Sequence, residues 1–288
     1  MHADLDTLCI VVYCTAADLL PAARKNARRR ITDAEVVTLC VAQAIMGIPS
    51  DRLFLRTARR QLGHLFPVLP RQPGYFKRRR RLADVIEWLL VHFAAQSPGA
   101  SDNLLLIDST PVECGRSRET AKRSALGEFA GYGYCASHSR WFWGFRLHLL
   151  AAPDGTPWAF TLADPRRDER EVGLELLARC SCRGAVLVCD KGYAGRDFAA
   201  AVAELGVLVV RPARKDEPGH GPHLAPIRQR IESIFWSCKG RLTLERHGAR
   251  TIAGLRERIL ARFLCLAACI SINHWLGRPS RTLVDHAA

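Results

Sequence analysis

The sequence predicts an α/β domain, a mixed sheet flanked by helices, preceded by an all-α region. Three observations lead there. The first hundred residues carry helix-start signals and helical spacing. The stretch Ser97-Pro98-Gly99-Ala100-Ser101 then reads as a linker. After it, short apolar runs of strand length alternate with helical segments.

Taken in order, residues 5–20 are apolar with scattered polar positions. Thr32-Asp33-Ala34-Glu35 fits a capping box, and the helix continues through residues 36–46 to Gly47. Ser50 is placed to cap a helix reaching Gly63, on which Arg52, Arg56, Arg59 and Arg60 share one face. A third helix is expected over residues 75–96, opening on the basic run Lys77, Arg78, Arg79, Arg80 and Arg81 and turning apolar from Val85. The two helices around the Gly47-Ile48-Pro49 break fit either a helix-turn-helix or an ordinary bundle with a solvated basic face.

Beyond the linker, residues 104–107 form a short buried strand. Residues 111–140 lack periodicity and read as a loop-rich insertion. Residues 142–151 and 156–163 are strands joined by the turn Pro153-Asp154-Gly155. Helices are expected over 168–179 and 196–205, strands over 185–189 and 207–210, and a polar loop over 215–222. Pro226 suits the first turn of a helix running to Lys239, and residues 252–276 form a last apolar helix. By analogy, the order strand, hairpin pair, helix, strand, helix, strand, helix is that of the ribonuclease-H-like fold. The expected domains are 1–97, helical and basic; 102–276, the sheet domain; and 277–288, a tail.

The 288 residues are 48% hydrophobic, and no apolar run reaches the ~18 residues that span a bilayer. The start Met1-His2-Ala3-Asp4-Leu5-Asp6 is acidic, unlike a secretory signal, so a cytoplasmic protein with no membrane partner is expected. A net charge of +14 favours polyanions. Only six of the 42 basic residues are Lys, a bias that GC-rich coding explains in part, so the distribution carries more weight than the count. Residues 24–81 hold 15 basic and 3 acidic residues, a net +12. Arg52, Arg56, Arg59, Arg60, Lys77, Arg78, Arg79 and Arg80 are the candidate DNA-binding patch. The eleven Cys, odd in number and without a Cys-x-x-Cys pair, read as reduced thiols.

Three carboxylates stand out. Asp108 follows the apolar run Leu104-Leu105-Leu106-Ile107. Asp190, in Cys189-Asp190-Lys191-Gly192-Tyr193, follows Ala185-Val186-Leu187-Val188. Glu232 lies on a helix whose buried stripe is Ile227, Ile231, Ile234 and Cys238, with Arg228, Glu232, Phe235 and Lys239 on the adjacent stripe. Phosphodiester cleavage needs an activated oxygen nucleophile and a stabilised leaving oxygen, which two divalent ions supply together. Mg²⁺ asks for few protein carboxylates, and strand ends in an α/β sheet are rigid mounts for them. Blander readings suit the remaining polar and aromatic residues. Glu113 and Glu169 read as surface residues, His148 as a core histidine, and Trp141, Trp143 and Trp158 as hairpin packing. His138 is a candidate substrate contact, and Ser109 lacks the Gly-x-Ser-x-Gly elbow of a nucleophile.

Leu106-Ile107-Asp108-Ser109-Thr110, Cys189-Asp190-Lys191-Gly192-Tyr193 and Arg228-x3-Glu232-x6-Lys239 together resemble the three acidic motifs of DDE transposases of small bacterial insertion sequences. The Tyr that usually opens the third motif is replaced by Ala225. Gly144-Phe145-Arg146-Leu147-His148 resembles the family's second strand, and residues 118–138 its connecting segment. The resemblance implies a ribonuclease-H-like catalytic domain in which Asp108, Asp190 and Glu232 hold Mg²⁺, with Mn²⁺ as a substitute, and Arg228, Lys239 and Lys191 position DNA phosphates. It further implies cleavage at terminal inverted repeats, attack of the freed 3′-hydroxyl on target DNA, and a homodimer or higher multimer on DNA. Two alternatives stay open: a nuclease of the same fold that does not join ends, and a catalytically silent DNA-binding remnant.

Overall fold

In the computed structural model, residues 5–21, 30–135, 139–214 and 224–286 are described, so His138 and the polar loop 215–222 lie outside them. The helices are α1 Leu5–Leu19, α2 Asp33–Ile45, α3 Asp51–Gln61, α4 Gln72–Arg81, α5 Ala83–Ala94, α6 Arg118–Arg123, α7 Glu169–Ala178, α8 Arg196–Glu204, α9 Ala225–Lys239 and α10 Ile252–Trp275. The strands are β1 Leu104–Gly115, β2 Gly131–Cys135, β3 Arg140–Ala151, β4 Pro157–Ala163, β5 Val186–Val188 and β6 Leu208–Val210. They divide between two compact units: Met1–Ser97 with Ser237–Ala288, and Pro98–Trp236.

Local chemistry sets the helical unit. Thr32 and Glu35 form the capping box of α2: the Glu35 N–H donates to Thr32 Oγ1 at 3.1 Å, and the Thr32 N–H donates to the Glu35 carboxylate. Ser50 accepts from the Leu53 N–H and starts α3. Gly47, at φ 62°, gives the left-handed residue that turns the chain between α2 and α3. The helix expected over 75–96 is instead two, α4 and α5, meeting at Leu82. One inward stripe, Tyr75, Arg79, Leu82, Ile86, Leu89 and Phe93, runs through both, so periodicity alone reads them as continuous. The bend lets that stripe meet two sets of partners, α2 and α3 along α4, and α10 along α5.

The largest departure from the expected boundaries lies at the C-terminal end. Residues 237–276, expected to close the sheet domain, belong to the helical unit. α10 is buried from Leu255 to Asn273 with few breaks and packs on α1, α2, α4 and α5. A helix apolar on every side needs partners on every side, and the N-terminal helices provide them. The segment 277–286 docks on the same unit: buried His286 shares a hydrogen bond with Asn273 at 2.9 Å. No helix among the described residues is long and apolar enough to cross a membrane.

The other unit is built on one mixed sheet. β4, β3 and β1 are antiparallel neighbours, and β5 and β6 continue from β1 in parallel; β2 pairs with the first half of β3. This is the ribonuclease-H-like strand order that the sequence suggested. Leu105, Ile107, Leu187 and Cys189 point to one face, where α7 and α8 cover them through Leu176, Leu177, Phe198 and Val202. β1 does not stop at Ile107 but runs to Gly115, so the expected insertion begins inside a strand. β5 pairs with β1 only as far as Leu106, leaving β1 beyond it with β3 on one side; Pro111 sits in that stretch, where a missing N–H is tolerated. Gly144 packs against the β1 bulge, and a Cβ there would lie 2.1 Å from the Val112 carbonyl oxygen. Within the segment that reads as a loop, Gly133 of β2 has the same constraint, since a Cβ there would lie 2.4 Å from the Pro165 Cβ.

Candidate active site at the open edge of the sheet

The register between β1 and β5 brings the first two carboxylates together. Leu104, Leu105 and Leu106 pair with Val186, Leu187 and Val188, a constant offset of 82 residues, and Asp108 and Asp190 are separated by the same 82. They stand two residues past the last paired residues, Leu106 and Val188, at the end of the parallel ladder. Side chains alternate along a strand, so Asp108 and Asp190 share the face opposite Ile107 and Cys189. Both are half-buried.

Backbone donors hold each carboxylate. Asp108 Oδ1 accepts from the Ser109 N–H at 2.7 Å. Asp190 Oδ1 accepts from the Gly192 N–H at 2.7 Å and caps the single 3-10 turn Lys191–Tyr193. Burial pushes the Asp108 carboxyl up to about 7; the Ser109 N–H opposes this, the negative charges of Asp190 and Glu169 add to it, and the Arg228 guanidinium opposes it. Asp190, Glu169 and Arg228 thus bear on the charge of Asp108.

Glu232 lies one turn beyond Arg228 on α9, exposed, lining an open depression with Ala225, Pro226, Arg228 and Gln229. Lys239 falls at the end of α9, in the helical unit, with its ammonium 3.8 Å from Glu245. Lys191 is exposed on the turn after Asp190. The described residues contain no three His, Cys, Asp or Glu side chains already drawn together closely enough to hold a metal ion. The donor chemistry nonetheless suits one. The oxygens are hard, and Asp108 meets an excess of like charge that a divalent cation would relieve.

Glu169, read from sequence as a surface residue, is part of this site. It is the first residue of α7, whose N-cap is Asp168. Its Oε1 accepts from Ser109 Oγ at 2.9 Å and pairs with the Arg146 guanidinium. Arg146 also donates to Ser109 Oγ at 3.3 Å and to the Tyr134 carbonyl at 3.3 Å. The one available signal was a carboxylate at a helix start just after the β4 strand, which by itself reads as a capping-turn charge.

The remaining residues sort by burial. His148 is 1% exposed, and burial together with Arg146 and Arg167 depresses it to about 4, a neutral core histidine as expected. Glu113 pairs with Arg140 at 3.0 Å. Trp143 is buried, and Trp141, 71% exposed, packs on its cross-strand partner Tyr134 in the β2–β3 pair with ring centroids 5.5 Å apart and the rings tilted by 59°.

In the helical unit, Arg52, Arg56, Arg59 and Arg60 are exposed on α3, as are Lys77 and Arg80 on α4, the latter over the Phe76 ring. Arg78 is partly turned in, donating to the Ile31 carbonyl and to Asp33. Arg79 does not belong to the surface patch. It is 2% exposed, paired with Asp51 at 2.9 Å and Glu257 at 2.6 Å, and bonded to Gln43. It lies one position along the inward stripe from Tyr75, four residues before it, and that spacing outweighs its place in a run of Arg.

Comparison with known proteins identifies the family. A family model described as "Transposase DDE domain" matches residues 99–268. Among solved structures, the cryo-EM structure of a piggyBac transposase synaptic complex with hairpin DNA is similar at a TM-score of 0.42 and 9% identity, over 99% of this chain and 84% of that one. No curated protein matches the chain. Since the family model covers more than half of the sequence, the chain belongs to the transposase DDE domain family, the enzymes of DNA transposition.

Proposed function

We propose that this transposase binds the terminal inverted repeats of its element, cleaves there with a divalent metal, and joins the freed 3′-hydroxyl to target DNA as a dimer or higher multimer. The observation that supports this best is the common 82-residue offset that places Asp108 and Asp190 just past the paired ends of β1 and β5, with the Arg228 charge acting on Asp108. Asp108, Asp190 and Glu232 would hold Mg²⁺, or Mn²⁺ in its place, which supplies an activated oxygen nucleophile and charge relief at the leaving oxygen.

The chain's own residues then have distinct tasks. Arg228 sets a fixed positive charge beside Asp108, and its planar guanidinium can grip a phosphate through two donors. Lys191, exposed beside Asp190, and Lys239, farther along α9, hold phosphates as point charges. The sheet unit is the catalytic domain in this reading. The exposed basic residues of α3 and α4 bind duplex through phosphate contacts, which makes affinity salt-dependent.

The test uses the purified protein, Mg²⁺ and a labelled duplex carrying the terminal repeat, comparing the parent with Asp190→Asn. Metal-dependent nicking and joining to a plasmid, lost in the variant, is the expected result. Cleavage without joining would leave a nuclease, and equal binding without cleavage in both proteins would leave a DNA-binding remnant.

A further inference from the structure

We propose that Glu169 is a fourth carboxylate of the catalytic centre, facing the same divalent cation as Asp108 and Asp190, with Arg146 and Ser109 holding it in place. This rests on the metal-dependent reading above and adds a residue that none of the three acidic motifs contains. One carboxylate oxygen, Oε1, is tethered by Ser109 Oγ at 2.9 Å and by Arg146. The other, Oε2, is directed at the Asp190 turn: a Cβ built on Gly192 would meet it at 3.0 Å and Asp190 Oδ1 at 2.9 Å. The two oxygens of different residues therefore flank one point beside Gly192. A carboxylate with one oxygen fixed by neighbouring donors and the other left free is how metal-ligating groups are oriented.

The topology makes the approach available. Ser109 alternates with Asp108 and so faces the α7 side, where Glu169 starts that helix. Since β5 ends at Val188, no strand separates the α7 side from the Asp108 and Asp190 side at this edge.

A second observation points to a ligand at the same place. Tyr193 is 1% exposed, and its hydroxyl has no hydrogen-bond partner among the described residues. The negative charges of Glu169, Asp108 and Asp190 all act on it. A buried hydroxyl is expected to find a partner, and a cation-bound water or phosphate oxygen among these carboxylates would provide it.

The test measures Mn²⁺ binding by titration calorimetry on the full-length protein without DNA, so it does not depend on turnover. The parent is compared with Glu169→Gln, Asp190→Asn and the surface control Glu113→Gln. Glu169→Gln keeps an oxygen for Ser109 and Arg146 but removes the charge. The expected result is a Kd for Mn²⁺ raised about 10-fold or more in Glu169→Gln and Asp190→Asn, and unchanged in Glu113→Gln. Parent-like Mn²⁺ affinity in Glu169→Gln beside a loss in Asp190→Asn would overturn the proposal and leave the metal site standing. Parent-like affinity in both would overturn it together with the reading it rests on. Thermal unfolding in chelator confirms that each variant folds. Should Glu169→Gln fail there, Glu169→Asp, with the charge kept but one methylene short, is expected to weaken Mn²⁺ binding, and parent-like affinity in it would overturn the proposal.

Discussion

Asp190 follows Asp108 at the same 82-residue offset that pairs β1 with β5, so the two carboxylates emerge together two residues past the last paired rung of those strands. Their proximity is set by main-chain hydrogen bonds of buried parallel strands, not by a flexible loop. Removing either charge should therefore disable chemistry while leaving the scaffold intact. Asp108→Asn and Asp190→Asn are each expected to lower cleavage by about 1000-fold or more, with affinity for the terminal-repeat duplex unchanged. Gel-shift and cleavage assays on the same preparations check both halves.

Asp108 carries a pH signature. Its carboxyl is pushed up to about 7, by burial first, from an ordinary value of 3.8. A carboxyl raised in the folded state contributes most below its unfolded value, and that contribution is lost as pH rises through the folded one. In metal-free buffer, Asp108→Asn should therefore stabilise the protein at pH 8, by at most about 4 kcal/mol, and progressively less toward pH 4. Chelator-treated unfolding curves across that window measure it, and a pH-independent difference would contradict the assignment.

Arg79 and Arg56 should behave oppositely. Arg79→Ala leaves Asp51 and Glu257 buried without their main partner and is expected to cost about 3–5 kcal/mol of stability. Arg56→Ala, exposed on α3, should leave stability within about 0.5 kcal/mol and reduce the salt slope of DNA binding by about one unit. Denaturant titration and salt-dependent binding of the two variants separate the roles.

Gly192→Ala probes the spacing of the carboxylates. The added methyl would lie 2.9 Å from Asp190 Oδ1 and 3.0 Å from Glu169 Oε2, so both must shift. The fold tolerates it, because Gly192 is not at positive φ. Cleavage is expected to fall about 10- to 100-fold with a change in unfolding temperature of only a few degrees.

Much of this was legible from residue order. The capping box at Thr32, the hairpin at Gly155 and the starts of the strands leading to both Asp follow from local rules and appeared within a residue of where expected. What escaped was set by tertiary partners. Arg79 sits in a basic run, and only its packing beside Tyr75 shows that it faces inward. Glu169 has no sequence neighbour that marks it; its meaning comes from Ser109, sixty residues away in the chain. The allegiance of α10 depends on which helices have uncovered faces, and a single helix's periodicity does not record that.

That allegiance bears on the order of synthesis. The helical unit is assembled from both ends of the chain, with the sheet unit threaded between them. While the ribosome is still making α9, helices α1 to α5 have emerged without the apolar rod that fills their centre. A copy truncated before α10 therefore forfeits the partner of its N-terminal helices while keeping all three acidic motifs, and a search for decayed copies should look for frame breaks after Lys239.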